Sequence, residues 1–179
     1  MRTIEPALQE RAAAIRMLVL DVDGVLTDGN LYFDNAGNEM KAFNTRDGLG
    51  IKALQKCGIE VAIITGRKSE IVSQRMRELE IQHVYQGREH KLKSFTHLLD
   101  ATGLDAEQVC YAGDDWIDLP VLVRVGLAVT VADADEYVKD HVHWITQRKG
   151  GQGAVREICN LILTAQDKIQ PVLDRILAS

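Results

Sequence analysis

Short apolar runs alternate along the chain with longer segments in which apolar side chains recur at helical spacing. The runs are rich in Val and Ile and lie at 17–20, 60–64, 83–85, 109–112 and 127–131. Segments with a helical pattern lie at 5–15, 47–57, 69–79 and 92–101 and after residue 153. This alternation predicts an α/β fold, a Rossmann-like three-layer sandwich in which helices cover both faces of a central parallel sheet.

Two segments depart from that alternation. Residues 29–43 hold two short apolar stretches around the turn-rich segment 34–38, a pattern that predicts an inserted β-hairpin. Four residues at 150–153, three of them glycine, precede a C-terminal helical stretch and are either a phosphate-binding loop or a simple linker. We therefore expect an N-terminal helical arm at 1–16, a core at 17–149 and a glycine-rich loop with a helical tail at 150–179.

Composition narrows the class of protein. The 179 residues suit one globular domain, and the net charge of −5, with no concentrated basic stretch, argues against nucleic-acid binding. Aliphatic runs of about four residues are far shorter than the roughly twenty of a membrane-spanning helix, so we expect no membrane segment. The N-terminus lacks the apolar core of a secretion signal, and no Cys-x-x-Cys pair is present, which favours a cytoplasmic protein with reduced thiols.

Reactive side chains follow four of the predicted strands. Asp21 and Asp23 come directly after the first, the segment 65–67 (Thr-Gly-Arg) after the second, Lys91 shortly after the third, and the segment 113–115 (Gly-Asp-Asp) after the fourth. Ligands of open α/β sheets bind at the carboxyl ends of the strands, where one crevice can collect all four groups. The sequence therefore predicts a single site at this edge.

Phosphoryl transfer is the chemistry that fits these residue types. A carboxylate attacks phosphorus, and a hard cation neutralises the phosphate charge. Asp21 and Asp114 offer the oxygen ligands that Mg²⁺ prefers, and Thr65 and Lys91 can hold phosphoryl oxygens. An Asp-x-Asp-Gly stretch alone is often only a turn, and Lys93 is an alternative to Lys91, so the order of all four motifs is the stronger signal.

In that order the motifs resemble those of the haloacid dehalogenase-like (HAD) phosphohydrolases. They stand as Asp21-x-Asp23-Gly-x-x-Thr, Thr65-Gly-Arg, Lys91 and Gly-Asp114-Asp-x-x-Asp, separated by 44, 26 and 23 residues. These short spacings leave no room for the separate cap domain of many relatives. The stretches 41–51 and 150–157 resemble more narrowly the 3-deoxy-D-manno-octulosonate 8-phosphate phosphatases.

The resemblance implies a role for each motif residue. Asp21 would be the nucleophile that forms an aspartyl-phosphate, and Asp23 the acid and base that serves the leaving sugar hydroxyl and then water. Mg²⁺ would be held by the Asp21 carboxylate, the Asp23 backbone carbonyl and Asp114, with Asp118 in support. Thr65 and Lys91 complete the catalytic set. The substrate contacts would be Asp23, Asn44, Thr45, Arg46, Asp47, Gly48, Lys52, Arg67, Arg75, Lys91 and Asp115.

The implied reaction is Mg²⁺-dependent hydrolysis of 3-deoxy-D-manno-octulosonate 8-phosphate, in lipopolysaccharide biosynthesis, by a homotetramer in which the hairpin and the glycine-rich tail work between subunits. Three alternatives stay open. In the first, the substrate is another acidic sugar phosphate, such as a nonulosonate 9-phosphate, since the core motifs do not discriminate the alcohol. In the second, the chain is a non-catalytic HAD-fold binding module. In the third, Arg75, which lies on a helix with an apolar stripe, is a solvated side chain without a role in binding.

Overall fold

A computed structural model describes residues 4–178 as one α/β unit. Its helices are α1 (Pro6–Ala13), α2 (Thr45–Lys56), α3 (Glu70–Glu78), α4 (Lys91–Thr102), α5 (Leu119–Leu122), α6 (Glu136–Lys139), α7 (Ala154–Ala165) and α8 (Ile169–Leu177). Its strands are β1 (Met17–Leu20), β2 (Tyr32–Phe33), β3 (Glu39–Met40), β4 (Glu60–Ile64), β5 (His83–Tyr85), β6 (Val109–Ala112), β7 (Leu127–Thr130) and β8 (Trp144–Ile145). Short 3₁₀ turns lie at Ala106–Gln108 and Trp116–Asp118.

Six strands form the central sheet in the order β5-β4-β1-β6-β7-β8, and every neighbouring pair is parallel. Strand β1 lies between β4 and β6, with Leu20 opposite Ile63 on one side and Ala112 on the other. Strands β2 and β3 form a separate antiparallel hairpin. The predicted fold class is confirmed, including the inserted hairpin.

Alternation along β1 divides the core into two layers. Leu18 and Leu20 pack in a layer that includes buried side chains of α2 and α7. Met17 and Val19 point to the opposite layer, with buried side chains of α4 and α5. Because strands buried on both faces expose no polar face, their sequences are continuous apolar runs. The helical layers leave the carboxyl edge of the sheet open.

Several boundaries differ from the prediction. Helix α2 begins at Thr45 rather than at 47, because the Asn44 side chain accepts a hydrogen bond from the backbone N–H of Arg46 and caps the helix. The predicted C-terminal stretch is two helices, which are separated at 166–168, where Asp167 has a φ of 54°. The short elements α6 and β8 were not predicted. Within residues 4–178 no helix is long and apolar enough to cross a membrane.

The division into arm, core and tail stays a prediction. Residues 1–3 of the predicted arm and residue 179 of the predicted tail lie outside the described residues. Helix α7 contributes eight buried side chains to the core, and it packs against α2. The start of the segment predicted as tail is therefore part of the main hydrophobic layer.

Candidate active site

A cavity of about 250 Å³ opens where the parallel strands end. It is lined by Asp21, Asp23, Gly29, Thr65, Gly66, Arg67, Asp114, Asp115 and Ile117. These residues come from the ends of β1, β4 and β6, three adjacent strands. The convergence predicted from the strand ends is therefore present in the fold.

Lys91 lies against this cavity at the first position of α4. Its Nζ lies 2.8 Å from Oδ2 of Asp21 and 2.6 Å from Oδ1 of Asp118, and its side chain is fully buried. Burial alone would lower the pKa of Lys91, but the two carboxylates outweigh that effect and raise it. Lys93, the alternative considered from the sequence, is exposed. A permanent positive charge is thus fixed beside Asp21.

Asp118 supports the site through hydrogen bonds to both of its carboxylate oxygens. Oδ1 accepts hydrogen bonds from Lys91 and from the Tyr111 hydroxyl, both at 2.6 Å. Oδ2 accepts from the backbone N–H groups of Asp114 and Asp115, at 3.1 and 3.3 Å. Asp118 therefore fixes the loop that carries Asp114 and leaves no oxygen free for another partner.

The turn after β1 brings the backbone close to Asp114. Gly24 has a φ of +90°, and a Cβ added there would lie 2.0 Å from Oδ2 of Asp114. The Thr27 hydroxyl holds the same turn, since it accepts from the N–H groups of Gly24 and Gly29 and donates to the carbonyl of Val22. Only glycine permits both this backbone conformation and this approach.

Two carboxyl oxygens in the site are buried and have no hydrogen-bond partner among the described residues, Oδ1 of Asp21 and Oδ1 of Asp114. Burial, together with the charge of Asp118, raises the pKa of Asp21 to about 7 even though Lys91 opposes the shift. Burial and the charges of Asp21 and Asp118 raise the pKa of Asp114 to about 8. Such a pair needs either protons or a cation.

Mg²⁺ fits this donor set, because unpartnered carboxylate oxygens are the ligands it prefers. One oxygen from each of Asp21, Asp114 and Asp118 lies within 4.8 Å of the others. Since the oxygens of Asp118 are already used by hydrogen bonds, Asp21 and Asp114 are the better ligands of the three. Asp118 would act on such an ion indirectly, through the Lys91 side chain and the backbone of the loop that carries Asp114.

Asp23 is held by the predicted site residue Arg67 and by Lys41, which the sequence did not single out. Lys41, just beyond β3 of the hairpin, forms a hydrogen bond and ion pair with Oδ1 of Asp23. Nε of Arg67 lies 3.9 Å from Oδ2 of Asp23, and its Nη2 donates to Glu39 at 2.7 Å. Lys41 and Glu39 are functional candidates missed from the sequence, as is Tyr111. The alternation of charge along the hairpin was the available signal for the first two.

The residues predicted between 44 and 48 lie at the start of α2, and none of them is among the residues lining the cavity described above. Asn44 donates to the carbonyl of Gly151, and the buried Asp47 accepts from the N–H of Arg156. Thr45 and Arg46 are exposed. In the described residues this segment therefore connects α2 to the glycine-rich loop and to α7.

Arg75 and Lys52 also lie away from the cavity lining. Arg75 donates to Glu78, stacks over the Phe43 ring at 5.9 Å and packs against Gly48, while its buried Nε has no partner among the described residues. Lys52 pairs with Glu80 at 2.5 Å. Their predicted roles as substrate contacts stay predictions.

Known proteins place this fold and site in a class. A profile of the haloacid dehalogenase-like hydrolases matches residues 83–158. The curated 3-deoxy-D-manno-octulosonate 8-phosphate phosphatase of Yersinia pestis is 52% identical over 90% of this chain and 86% of its own length. The chain belongs to this family of HAD-like phosphatases, which confirms the resemblance drawn from the motifs.

Solved structures agree with that membership. A probable YrbI family phosphatase from Pseudomonas syringae is 50% identical and matches with a TM-score of 0.95 over 97% of this chain and 98% of its own. The 3-deoxy-D-manno-octulosonate 8-phosphate phosphatase of Moraxella catarrhalis, 38% identical, matches with a TM-score of 0.92 over 94% of this chain and 97% of its own. That protein was crystallised with a magnesium ion, a phosphate ion and KDO.

Proposed function

We propose that this chain is a Mg²⁺-dependent phosphatase that hydrolyses 3-deoxy-D-manno-octulosonate 8-phosphate to the free eight-carbon sugar acid and inorganic phosphate, in lipopolysaccharide biosynthesis. The observation that supports the substrate is the identity of about half of all positions with curated phosphatases over nine-tenths of the chain. The observation that supports the reaction is Asp21, a cavity-lining carboxylate with an unpartnered oxygen beside Lys91.

Asp21 is the proposed nucleophile. A carboxylate oxygen of Asp21 forms a bond to phosphorus as the ester bond to the sugar oxygen breaks, which gives an aspartyl-phosphate on the enzyme. Lys91, 2.8 Å from Asp21, compensates the charge that gathers on the phosphoryl oxygens, and the nearby Thr65 lines the same cavity. Mg²⁺, held by Asp21 and Asp114 with the Asp23 carbonyl, supplies further neutralisation of phosphate charge when bound.

Asp23 handles the protons in both halves of the reaction. Its carboxyl group gives a proton to the departing sugar oxygen. The resulting carboxylate then takes a proton from a water molecule whose oxygen bonds to phosphorus, and the bond from Asp21 to phosphorus breaks. Asp23 lines the cavity together with Asp21, in agreement with this sequence of steps.

The substrate contacts from 44 to 48, Lys52, Arg67, Arg75 and Asp115 are proposed for the sugar and its phosphate. Arg67 and Asp115 line the cavity, which supports them directly. The other proposed contacts do not line the cavity of the single chain. A homotetramer, in which neighbouring subunits complete each site, would allow them to contact the substrate. Exposed apolar side chains on the hairpin, Leu31, Tyr32, Phe33 and Met40, support such an assembly. A cytoplasmic location is proposed with it, in agreement with three free cysteines.

Phosphate release from a panel of sugar phosphates, with and without Mg²⁺, tests the function. The panel contains the eight-carbon acid, a nonulosonate 9-phosphate and neutral sugar phosphates. We expect preference for the eight-carbon acid, loss on chelation, and loss in Asp21→Asn. The control is Asp100→Asn, which changes an exposed aspartate on α4 and should leave activity intact. Preference for the nine-carbon acid would correct the substrate, and no release from any substrate would favour the binding module.

A further inference from the structure

Lys41 is a buried cation at the base of the hairpin. Its side chain is 1% exposed, and it lies one residue beyond β3. Its Nζ contacts Oδ1 of Asp23 and lies 3.4 Å from Oε1 of Glu39. Removing a lysine ammonium from water is costly unless carboxylates replace the lost solvation. Asp23 and Glu39 provide that replacement, so the three groups are mutually dependent.

Arg67 completes a ring of alternating charge. It follows β4, and its Nη2 lies 2.7 Å from Oε1 of Glu39 while its Nε lies 3.9 Å from Oδ2 of Asp23. Lys41 faces one oxygen of Asp23, and Arg67 faces the other. The Arg67 side chain is about half exposed, whereas the Lys41 side chain is buried. The contact of Asp23 with Lys41 is therefore more firmly fixed than its contact with Arg67.

We propose that Lys41 is a positioning residue that orients the carboxyl group of Asp23 for proton transfer to the leaving alcohol. This inference rests on the proposed function and assigns part of it to the hairpin. A carboxyl group at the mouth of a cavity turns easily about its side-chain bonds, and proton transfer requires it within hydrogen-bond reach of the departing oxygen. The contact with Lys41 restricts that rotation.

The chemistry gives this role a distinct signature. When an Asp21 oxygen bonds to phosphorus and the bond from phosphorus to the sugar oxygen breaks, the proton of the Asp23 carboxyl group passes to the sugar oxygen. The sugar leaves as a neutral alcohol, and the carboxylate left on Asp23 is paired with Lys41. An alkoxide leaves poorly without this proton, whereas p-nitrophenolate is a stable anion and needs little help. A misplaced Asp23 therefore slows cleavage of the sugar ester and spares cleavage of p-nitrophenyl phosphate.

The test compares kcat/KM for the two substrates, because this constant covers the steps through release of the leaving group and excludes hydrolysis of the aspartyl-phosphate. In Lys41→Met we expect kcat/KM for the sugar phosphate to fall by about 10- to 100-fold, and that for p-nitrophenyl phosphate to fall several times less. The matched control is Lys93→Met, which removes an exposed lysine and should leave both constants unchanged. An equal loss for both substrates in Lys41→Met, or no loss, would overturn the proposal.

A double-mutant cycle with Asp23→Asn tests whether Lys41 acts through Asp23. In the Asp23→Asn background, Lys41→Met is expected to change the ratio of the two constants no further. A further drop in that ratio would show that Lys41 affects the reaction independently of Asp23, and it would reject the proposal. If Lys41→Met fails to give a thermal unfolding transition, Lys41→Gln, which keeps a polar side chain, carries the same expected selective loss and the same contrary outcome.

Failure of the proposed phosphatase function can be distinguished from failure of the proposal for Lys41. The unmodified protein would then release no phosphate from any sugar phosphate, or Asp21→Asn would retain the activity of the unmodified protein. Neither measurement involves Lys41. A protein that passes both and shows equal losses for the two substrates in Lys41→Met is a phosphatase in which Lys41 does not position Asp23.

Discussion

The carboxylate of Asp47 accepts a hydrogen bond, at 2.7 Å, from the backbone N–H of Arg156, 109 residues later in the chain. Helix α7 begins after Gly153, which has no side chain that could cap the first N–H groups. Asp47, almost fully buried at the start of α2, supplies the missing acceptor from a different helix. Helices α2 and α7, which pack in the same layer of the core, are thus joined at the ends nearest the glycine-rich loop.

Asp47→Ala should lower the free energy of unfolding by about 1–3 kcal/mol, because the partly buried Arg156 N–H loses its side-chain acceptor. Asp47→Asn keeps one acceptor oxygen and should cost less. Urea unfolding followed by circular dichroism measures both. If the alanine and asparagine variants were equally stable, the bond to Arg156 would not be what Asp47 contributes.

Gly24 and Gly37 form a natural pair for testing the turn after β1. Both have a positive φ, +90° and +83°, but a Cβ at Gly24 meets Asp114, whereas a Cβ at Gly37 meets nothing within 4 Å. Gly37→Ala should therefore cost only the backbone strain, about 1–2 kcal/mol. Gly24→Ala should cost more and also displace Asp114. Thermal unfolding with and without Mg²⁺ separates them, since only Gly24→Ala is expected to lose the stabilisation by Mg²⁺.

The sheet was predictable because its strands are apolar runs ended by polar residues. Strands β1, β4, β5 and β6 have the predicted bounds, and the ends of β1 and β6 correctly predicted that Asp21 and Asp114 would meet. Helix α2 begins two residues before its predicted start, because Asn44 caps the helix through a contact that periodicity does not reveal. Short elements such as α6 have too few residues to show a period.

The supporting residues of the site could not be predicted in the same way. Tyr111 lies within the apolar run of β6 and has the pattern of a core residue, yet its hydroxyl donates to Asp118. Lys41 follows a two-stranded hairpin, and its contact with Asp23, 18 residues earlier in the chain, depends on where that hairpin lies relative to the end of β1. The sequence pattern identifies residues that directly follow a strand. It does not identify residues whose role depends on a contact with a distant part of the chain.

Lys91 is expected to contribute to stability as well as to catalysis. Replacing it by Met removes the cation between two buried carboxylates, Asp21 and Asp118, and should lower the free energy of unfolding by about 3–5 kcal/mol in the absence of Mg²⁺. Lys93→Met, two residues along the same helix and exposed, should change it little. Urea unfolding in a chelator is the measurement, and a similar small change in both variants would contradict the buried network.

Raised pKa values at Asp21 and Asp114 make the metal-free protein sensitive to pH. An aspartate in the unfolded chain titrates near 3.8, and these two titrate at about 7 and about 8 in the folded chain. Between pH 3.8 and the folded pKa values of about 7 and 8, the folded state binds more protons than the unfolded state, so the free energy of unfolding decreases as pH rises. The contribution of these two groups to stability is fully present below pH 3.8 and is lost as pH rises through their folded pKa values.

Mg²⁺ should therefore stabilise the protein more at high pH than at low pH, because it binds the ionised carboxylates and has to compete with protons when they are neutral. We expect the rise in Tm on adding Mg²⁺ to be small near pH 5 and larger near pH 8, where the metal-free protein is weakest. Asp114→Asn removes one of the two titrating groups and an expected ligand, so it should both flatten the pH dependence of the metal-free Tm and reduce the effect of Mg²⁺. Differential scanning fluorimetry over this pH range, with chelator and with Mg²⁺, gives both quantities. An equal rise in Tm at both pH values would mean that the ion binds away from Asp21 and Asp114.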